Sequence, residues 1–427
     1  MGEIVLGVVA DDFTGASDAA SFLVQQGVKT LLFNGTPQEP LPISNEKIAV
    51  VIALKTRTEE KNKAIVESLS AFSWLKDNGA KQFYSKYCST FDSNETGNIG
   101  PVIDNFLEYQ NIKYTIIAPS LPINGRIVKN GHLFVQGVPL NKTHMKDHPL
   151  TPMWDSDLEK LISPQGKYES LKITEDMLFA SDEQIFSLVD EFGSDKDHFY
   201  VIPDYVNENH GARIVELFGD LPFLTGGSGL VGNLGRKYRK EGKAVSEVNY
   251  SSTEGKAIIL SGSCSETTLQ QVENFQINDG NSIKLDANKL IEGTQTKEQI
   301  WEEISSSKDD AALVYSSDTP ENVKNAQSSG VEKISEILEQ TTAYIAKRAK
   351  QHGYNRIIVA GGETSGAVTQ ALGYDAYVVG ESIASGVPIM VPLNNKKLRL
   401  VLKSGDFGQE DFFMRAVNLT KGDSNDS

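Results

Sequence analysis

The segment Ile357-Ile358-Val359-Ala360-Gly361-Gly362-Glu363-Thr364-Ser365-Gly366-Ala367 constrains the fold more than any other stretch of the chain. A β-branched apolar run stops at two glycines, and small, hydroxyl-bearing residues then open Ala-Val-Thr-Gln-Ala-Leu, which Gly373 closes. The pattern predicts a strand, a tight turn and a helix N-terminus. Backbone N–H groups and the positive end of the helix dipole converge at such a turn, an arrangement suited to a phosphate. It is neither Gly-x-x-x-x-Gly-Lys-Ser/Thr nor a complete Gly-x-Gly-x-x-Gly, so the turn alone does not name its ligand.

The same rhythm runs from end to end. Apolar runs at Ile4–Ala10, Ile48–Ala53, Tyr114–Ala118, Phe199–Ile202, Ala257–Ser261, Ala312–Tyr315, Arg356–Ala360 and Leu398–Leu402 alternate with amphipathic stretches. This is the pattern of an α/β protein with mainly parallel sheets flanked by helices. Val331 to Gln351 is the clearest helix, with Val331, Ile334, Leu338 and Ile345 at helical spacing before Gly353. The 427 residues exceed one ordinary core, so two domains are expected. The apolar pattern fades between Gly235 and Gly255, through Arg236-Lys237-Tyr238-Arg239-Lys240 and then Ser251-Ser252-Thr253. The boundary is placed there, giving domains over 1–240 and 256–420, with the basic run read as a helix end before a polar linker.

Charge and cysteine usage exclude several classes of function. A net charge of −16 argues against nucleic acid and anionic membranes as partners. Cys88 and Cys264 stand far apart without metal-ligand spacing and read as reduced thiols of a cytoplasmic protein. Ile4–Ala10 has no basic residues before it and Asp11-Asp12 directly after it, so it reads as a buried strand rather than a signal peptide. Association into a homo-oligomer is left open.

Two groups of residues carry candidate chemistry. In the first half, Asp11 and Asp12 stand at a strand end, where ligands of open α/β sheets bind. Side chains alternate along extended chain, so one of the two is expected to cap the helix opening near Thr14 unless the chain turns between them. Lys55 and Arg57, two apart, could clamp a carboxylate if the chain there is extended; a solvated loop is the alternative. Lys86-Tyr87-Cys88-Ser89-Thr90-Phe91-Asp92-Ser93 is too polar for a core strand, and Gly97-Asn98-Ile99-Gly100-Pro101 reads as a turn opening a helix over Val102 to Leu107. His132 and His148 read as loop histidines, since no pair of histidines has metal-ligand spacing. In the second half three glycine-rich turns each follow a strand: Ser261-Gly262-Ser263, Gly361-Gly362-Glu363-Thr364 and Ser404-Gly405-Asp406-Phe407-Gly408. Together they could converge on a nucleotide. Asp406-Phe407-Gly408 matches a protein-kinase motif by accident, because the rest of that motif set is missing.

These motifs resemble those of the four-carbon acid sugar kinases. The resemblance rests on Ala10-Asp11-Asp12-Phe13-Thr14-Gly15, Lys86 to Ser93, Asn124-Gly125-Arg126, Asp147-His148-Pro149-Leu150-Thr151-Pro152-Met153, Thr225-Gly226-Gly227-Ser228-Gly229, Gly361 to Gly366 and Lys403 to Gly408, in order along nearly the whole chain. The subgroup most similar is that of the 3-oxo-tetronate 4-kinases, with siblings acting on threonate or erythronate close behind. What the resemblance implies is phosphorylation of the terminal 4-hydroxyl of an acid sugar by ATP with Mg²⁺. It implies a substrate-binding N-terminal domain, a nucleotide-binding C-terminal domain and an active site in the cleft between them. The acid end would meet Lys55 and Arg57. Asp12 is assigned as the base and Asp11 as the group orienting hydroxyls, with Lys86, Ser89, Asp92 and Arg126 around the sugar. Ser261, Gly262, Ser263, Gly361, Gly362, Glu363, Thr364 and Gly405 would hold the nucleotide. One departure is Asp406, where the family pattern has Asn. An NAD(P)-dependent dehydrogenase or a non-catalytic acid-sugar sensor would be rival readings of the bare motifs.

Overall fold

The computed structural model describes residues 3–41, 46–147, 151–243, 253–278, 281–317 and 331–421. The chain forms two compact units, Met1–Glu247 and Val248–Ser427. The expectations resting on His148-Pro149-Leu150, on most of the linker and on the last residues of the tail fall outside the described residues.

Among the described residues, eight parallel strands make the sheet of the first unit: β1 (Glu3–Ala10), β2 (Thr30–Asn34), β3 (Lys47–Ala53), β4 (Phe83–Lys86), β5 (Tyr114–Ala118), β9 (Ser170–Ile173), β10 (Phe199–Pro203) and β11 (Phe223–Gly226). Their order is β2-β3-β1-β4-β11-β5-β10-β9. Strand β1 is apolar without alternation because helices cover both faces of a parallel sheet, and all its residues after Glu3 are buried. Phe72 and Phe106, from helices Lys61–Asp77 and Ile99–Gln110, pack on Phe83 and Phe223 of β4 and β11 with centroids 4.4–6.1 Å apart. Each such ring contributes about 1.5–3 kcal/mol through burial. A small antiparallel sheet of β6 (Arg126–Lys129), β7 (His132–Val135) and β8 (Val138–Pro139) branches off after β5.

The second unit contains β12 (Ala257–Ser261), β13 (Ser282–Lys284), β14 (Ala311–Tyr315), β15 (Arg356–Ala360), β16 (Ala376–Ala384), β17 (Val387–Pro392) and β18 (Arg399–Lys403), in the order β13-β14-β12-β15-β18-β17-β16. The first five of that order run parallel, and β17 and β16 are antiparallel additions. Ile259, Phe275, Leu313, Ile358, Val401 and Phe413 are among the residues of its core.

Several local expectations are corrected. The helix expected over Val102 to Leu107 spans Ile99–Gln110, since Pro101 lies in its first turn, where a missing N–H costs nothing. Strands β2, β4 and β11 escape a search for apolar runs because polar residues or glycine end each of them, at Asn34, at Ser85-Lys86 and at Thr225-Gly226. Ser85, Lys86 and Thr225 are nevertheless buried, at the end of the sheet where the first site lies.

Candidate active site

In the first unit the parallel strands deliver their C-terminal ends to one edge, and backbone bonds tie the following loops together. Asp11 N–H donates to Lys86 O (3.1 Å), Leu54 N–H to Ala10 O (2.8 Å), and the N–H groups of Thr56 and Arg57 both donate to Asp11 O (3.0 and 3.3 Å). Two donors on one carbonyl make a turn, so the chain at 55–57 is not extended. The spacing-of-two argument therefore fails: Arg57 enters the cluster, Thr56 is buried and Lys55 is left exposed.

Arg57 organises the site. Its Nε and Nη2 donate to Asp11 Oδ2 and Oδ1 at 3.0 and 2.8 Å, a two-pronged fork. Nη2 also lies 3.0 Å from Asp12 Oδ1, and Nη1 lies 3.8 Å from Asp92 Oδ2. The two aspartates share one guanidinium because Asp12, at φ −151° and ψ 163°, is the N-cap at which the chain leaves β1 for helix Phe13–Gln25. The Asp12 carboxylate accepts the Gly15 N–H (2.8 Å) and the Thr14 hydroxyl (2.7 Å). Asp92 arrives on the turn after β4, where buried Phe91 adopts φ +54°, an uncommon conformation for a bulky residue. Ser89, on the same turn, is half-buried.

The two carboxyls differ in proton affinity. Burial raises Asp11, and the Arg57 charge and fork offset this only in part, leaving its pKa above the ordinary value. Burial also works against ionised Asp12, but Arg57, Lys86, the Thr14 hydroxyl and the Gly15 amide outweigh it and hold its pKa below the ordinary value. Burial lowers Arg57 less than its two aspartates raise it, so the guanidinium stays charged.

Lys86 is buried at the end of β4, with Nζ 2.9 Å from Tyr87 O. Asp11, Arg57, Lys86, Asp92 and Asn98 line a small cavity at this edge. Arg126 opens β6; its Nη1 donates to Asn124 O (2.8 Å), while Nε is buried without a partner among the described residues.

Sequence reasoning missed Asp18. Ser228 Oγ donates to its Oδ2, while Oδ1 is buried with no partner among the described residues. Burial raises its pKa, and Lys86, Ser228 and Arg126 offset this in part. A carboxylate among Ala16, Ala19, Ala20 and Leu23 on the buried face of a helix was the signal available.

The second unit brings the three glycine-rich turns side by side, since β12, β15 and β18 are adjacent and parallel. Gly262 and Ser263 N–H donate to Ala360 O (2.9 and 3.2 Å), and Gly361 N–H donates to Lys403 O (3.0 Å). Gly361 has φ +120°, which a side chain rarely permits, and a Cβ on Gly262 would come within 2.1 Å of Thr364 Oγ1. A Cβ on Gly405 would come within 2.6 Å of Ser263 Oγ. Gly362 begins helix Gly362–Leu372 and, among the described residues, has nothing within 4 Å of where a Cβ would stand; Glu363 beside it is exposed and Thr364 buried. Ser261 is buried and exchanges a hydroxyl bond with Ser317 (2.8 Å), so it braces the turn from beneath. An anion over Gly362 would meet a helix N-terminus with glycines on either side.

Each unit matches a family model: the description "Sugar-binding N-terminal domain" covers residues 6–234 and "Nucleotide-binding C-terminal domain" covers residues 258–413. The chain is 40% identical to a Haemophilus influenzae protein named 3-oxo-tetronate kinase, over 97% of this chain and 100% of that one. A Brucella melitensis protein of the same name is also 40% identical, over 97% and 95% of the two chains. Solved structures agree, with a Haemophilus influenzae protein at TM-score 0.82 (39% identity, 97% and 100% coverage) and a Salmonella typhimurium protein at 0.88 (37% identity, 96% and 98% coverage). The chain belongs to the family that joins a sugar-binding N-terminal domain to a nucleotide-binding C-terminal domain.

Proposed function

We propose that this protein is an ATP-dependent kinase that transfers a phosphoryl group to the 4-hydroxyl of 3-oxo-tetronate. The observation that carries the reading is its likeness, over nearly full length and across both units, to proteins named 3-oxo-tetronate kinase. The geometry supports it: a carboxylate and guanidinium cluster suits a hydroxylated acid, and three glycine-rich turns around a helix N-terminus suit phosphates.

Phosphoryl transfer asks for alignment, charge neutralisation and a proton acceptor. Asp12 was the sequence-based choice of base, but its carboxylate is occupied as a helix cap and its proton affinity is depressed. We assign the acceptor role to Asp11, whose affinity is raised and whose oxygens each keep a lone pair beyond the Arg57 fork. Asp12 then fixes the helix and steadies Arg57. Arg57 is taken up by carboxylates, so the acid end of the substrate goes to Lys86 and Arg126, and its hydroxyls to Asp11 and Asp92. Ser261, Gly262, Ser263, Gly361, Gly362, Thr364 and Gly405 shape the nucleotide pocket, and Glu363 lies at its mouth. Among the described residues no group of three or more His, Cys, Asp or Glu could hold a metal. Mg²⁺ would be held chiefly by nucleotide phosphates and water, where it would neutralise phosphate charge. No helix among the described residues is long and apolar enough to cross a membrane.

A coupled ADP-release assay across 3-oxo-tetronate, threonate and erythronate stereoisomers tests the proposal. Turnover is expected with 3-oxo-tetronate above the others. Faster turnover with threonate or erythronate would reassign the substrate, and ATP binding without ADP release on any of them would overturn the kinase reading.

A further inference from the structure

Lys403, the last residue of β18, is fully enclosed, yet no carboxylate lies within ion-pair distance of it among the described residues. Its Nζ donates to Thr268 Oγ1 (2.9 Å), Ser404 O (3.1 Å) and Gly405 O (2.9 Å). An ammonium has three N–H donors, so all three are used inward and none remains for a ligand. Thr268, on helix Glu266–Asn278, also donates to Gly405 O (2.9 Å) and meets Ser265 Oγ (3.1 Å), while Gln271 on that helix holds Phe407 O and Gln409 O at 3.0 Å. The turn after β18 is thus fastened through one buried cation to helix Glu266–Asn278, which follows the turn after β12.

We propose that Lys403 is a positioning residue for the nucleotide, whose charged ammonium holds the turn at 404–408 in the shape that receives phosphates, so that nucleotide affinity depends on its protonation. The inference rests on the reading that this unit binds a nucleotide. The groups facing Lys403 are Thr268, the Phe412 ring at 5.8 Å from helix Phe412–Leu419 and, in its own turn, Asp406, the one charged group acting on it among the described residues. Burial pushes its pKa down to about 8, against a weaker upward pull from Asp406. A neutral amine has two donors, so one of the three bonds is lost on deprotonation. Phosphates seated on these turns add negative charge nearby and favour the ammonium, so binding above pH 8 draws in a proton.

ADP binding by calorimetry between pH 7.5 and 9.5 tests this, in two buffers of different ionisation enthalpy. The phosphate's own second ionisation, near about 6, is complete below that window. The affinity of the intact protein is expected to fall above pH 8, by up to about tenfold per pH unit, with proton uptake on binding. Lys403→Met is expected to bind ADP more weakly, to raise KM for ATP more than KM for the acid sugar, and to show no pH dependence in the same window. A flat profile with no proton uptake in the intact protein would overturn the inference and leave the kinase reading standing; no ADP binding at any pH would overturn both. The intact-protein profile decides the question even if Lys403→Met folds poorly, which thermal melting reports.

Discussion

The two candidate sites are built in opposite ways. The first gathers ionic side chains from separate loops, with Asp11, Asp12 and Asp92 around Arg57 and with Asp18 and Lys86 close by. The second relies on backbone: glycines at Gly262, Gly361, Gly362 and Gly405, a helix N-terminus and hydroxyls, with one buried lysine behind them. A site made of side chains can be retuned by swapping one group and depends on mutual neutralisation. A backbone site is decided by which positions lack a Cβ, and each substitution there acts by occupying space.

The largest expected effect comes from separating the two aspartates of the first site. Asp11→Asn should lower kcat by roughly 10²-fold or more, the usual scale for losing a general base, with substrate affinities nearly kept. Asp12→Asn keeps a capping residue and should stay within about tenfold of the parent, a range set against that loss, whereas Asp12→Ala should cost about 1 kcal/mol of stability by chemical denaturation. The reverse ranking of the two Asn variants in steady-state kinetics would return the base to Asp12.

In the second site the contrast lies between two glycines. Gly362→Val meets open space, so its melting temperature should match the parent while ATP affinity falls by about tenfold or more, through loss of close backbone approach. Gly262→Val drives side-chain atoms into Thr364 and should lose both stability and ATP binding. Unchanged ATP affinity in Gly362→Val would remove that turn from the nucleotide site.

Arg57 and Arg126 sharpen the division of labour within the first site. Arg57→Gln removes the charge and fork that pull Asp11 down, so the Asp11 pKa rises further and the acid limb of kcat/KM should move to higher pH. Arg126→Ala should raise KM for the acid sugar with kcat and KM for ATP nearly unchanged. A KM unaltered by Arg126→Ala would place the acid end elsewhere.

The smallest effect concerns stability alone. Asp104 is buried against the Tyr200 hydroxyl, and burial raises its pKa to about 6, partly offset by the bonds it accepts from the Tyr200 O–H and the Lys167 backbone N–H. Its folded pKa exceeds the unfolded value, so the folded state holds the proton longer and this group's contribution declines as pH rises from about 4 to 6. Melting temperatures of Asp104→Asn across that range should lack this component of the decline; an unchanged slope would exclude it.

Local chemistry determined what depends on neighbours in sequence. Ala257–Ser261 and Arg356–Ala360 were legible as strands because parallel strands buried on both faces are continuous apolar runs, and Gly361 marked the turn because its φ of +120° is one that side chains rarely adopt. The alternation of such runs with amphipathic stretches determined the α/β class, and the order of the motifs pointed to the family. The short strand Phe83–Lys86 was not legible, because it owes its burial to β1 and β11 on either side rather than to its own pattern. Tertiary structure alone decided that Arg57 serves Asp11 and Asp12 while Lys55 faces solvent, that Asp12 caps a helix while Asp11 keeps a raised proton affinity, and that Asp18 and Lys403 are buried polar groups of the two sites. Pairing and desolvation are set by groups far apart in sequence: Ser228 lies 210 positions from Asp18, and Thr268 lies 135 from Lys403. A charge reports its partners only once the chain has brought them within a few ångströms.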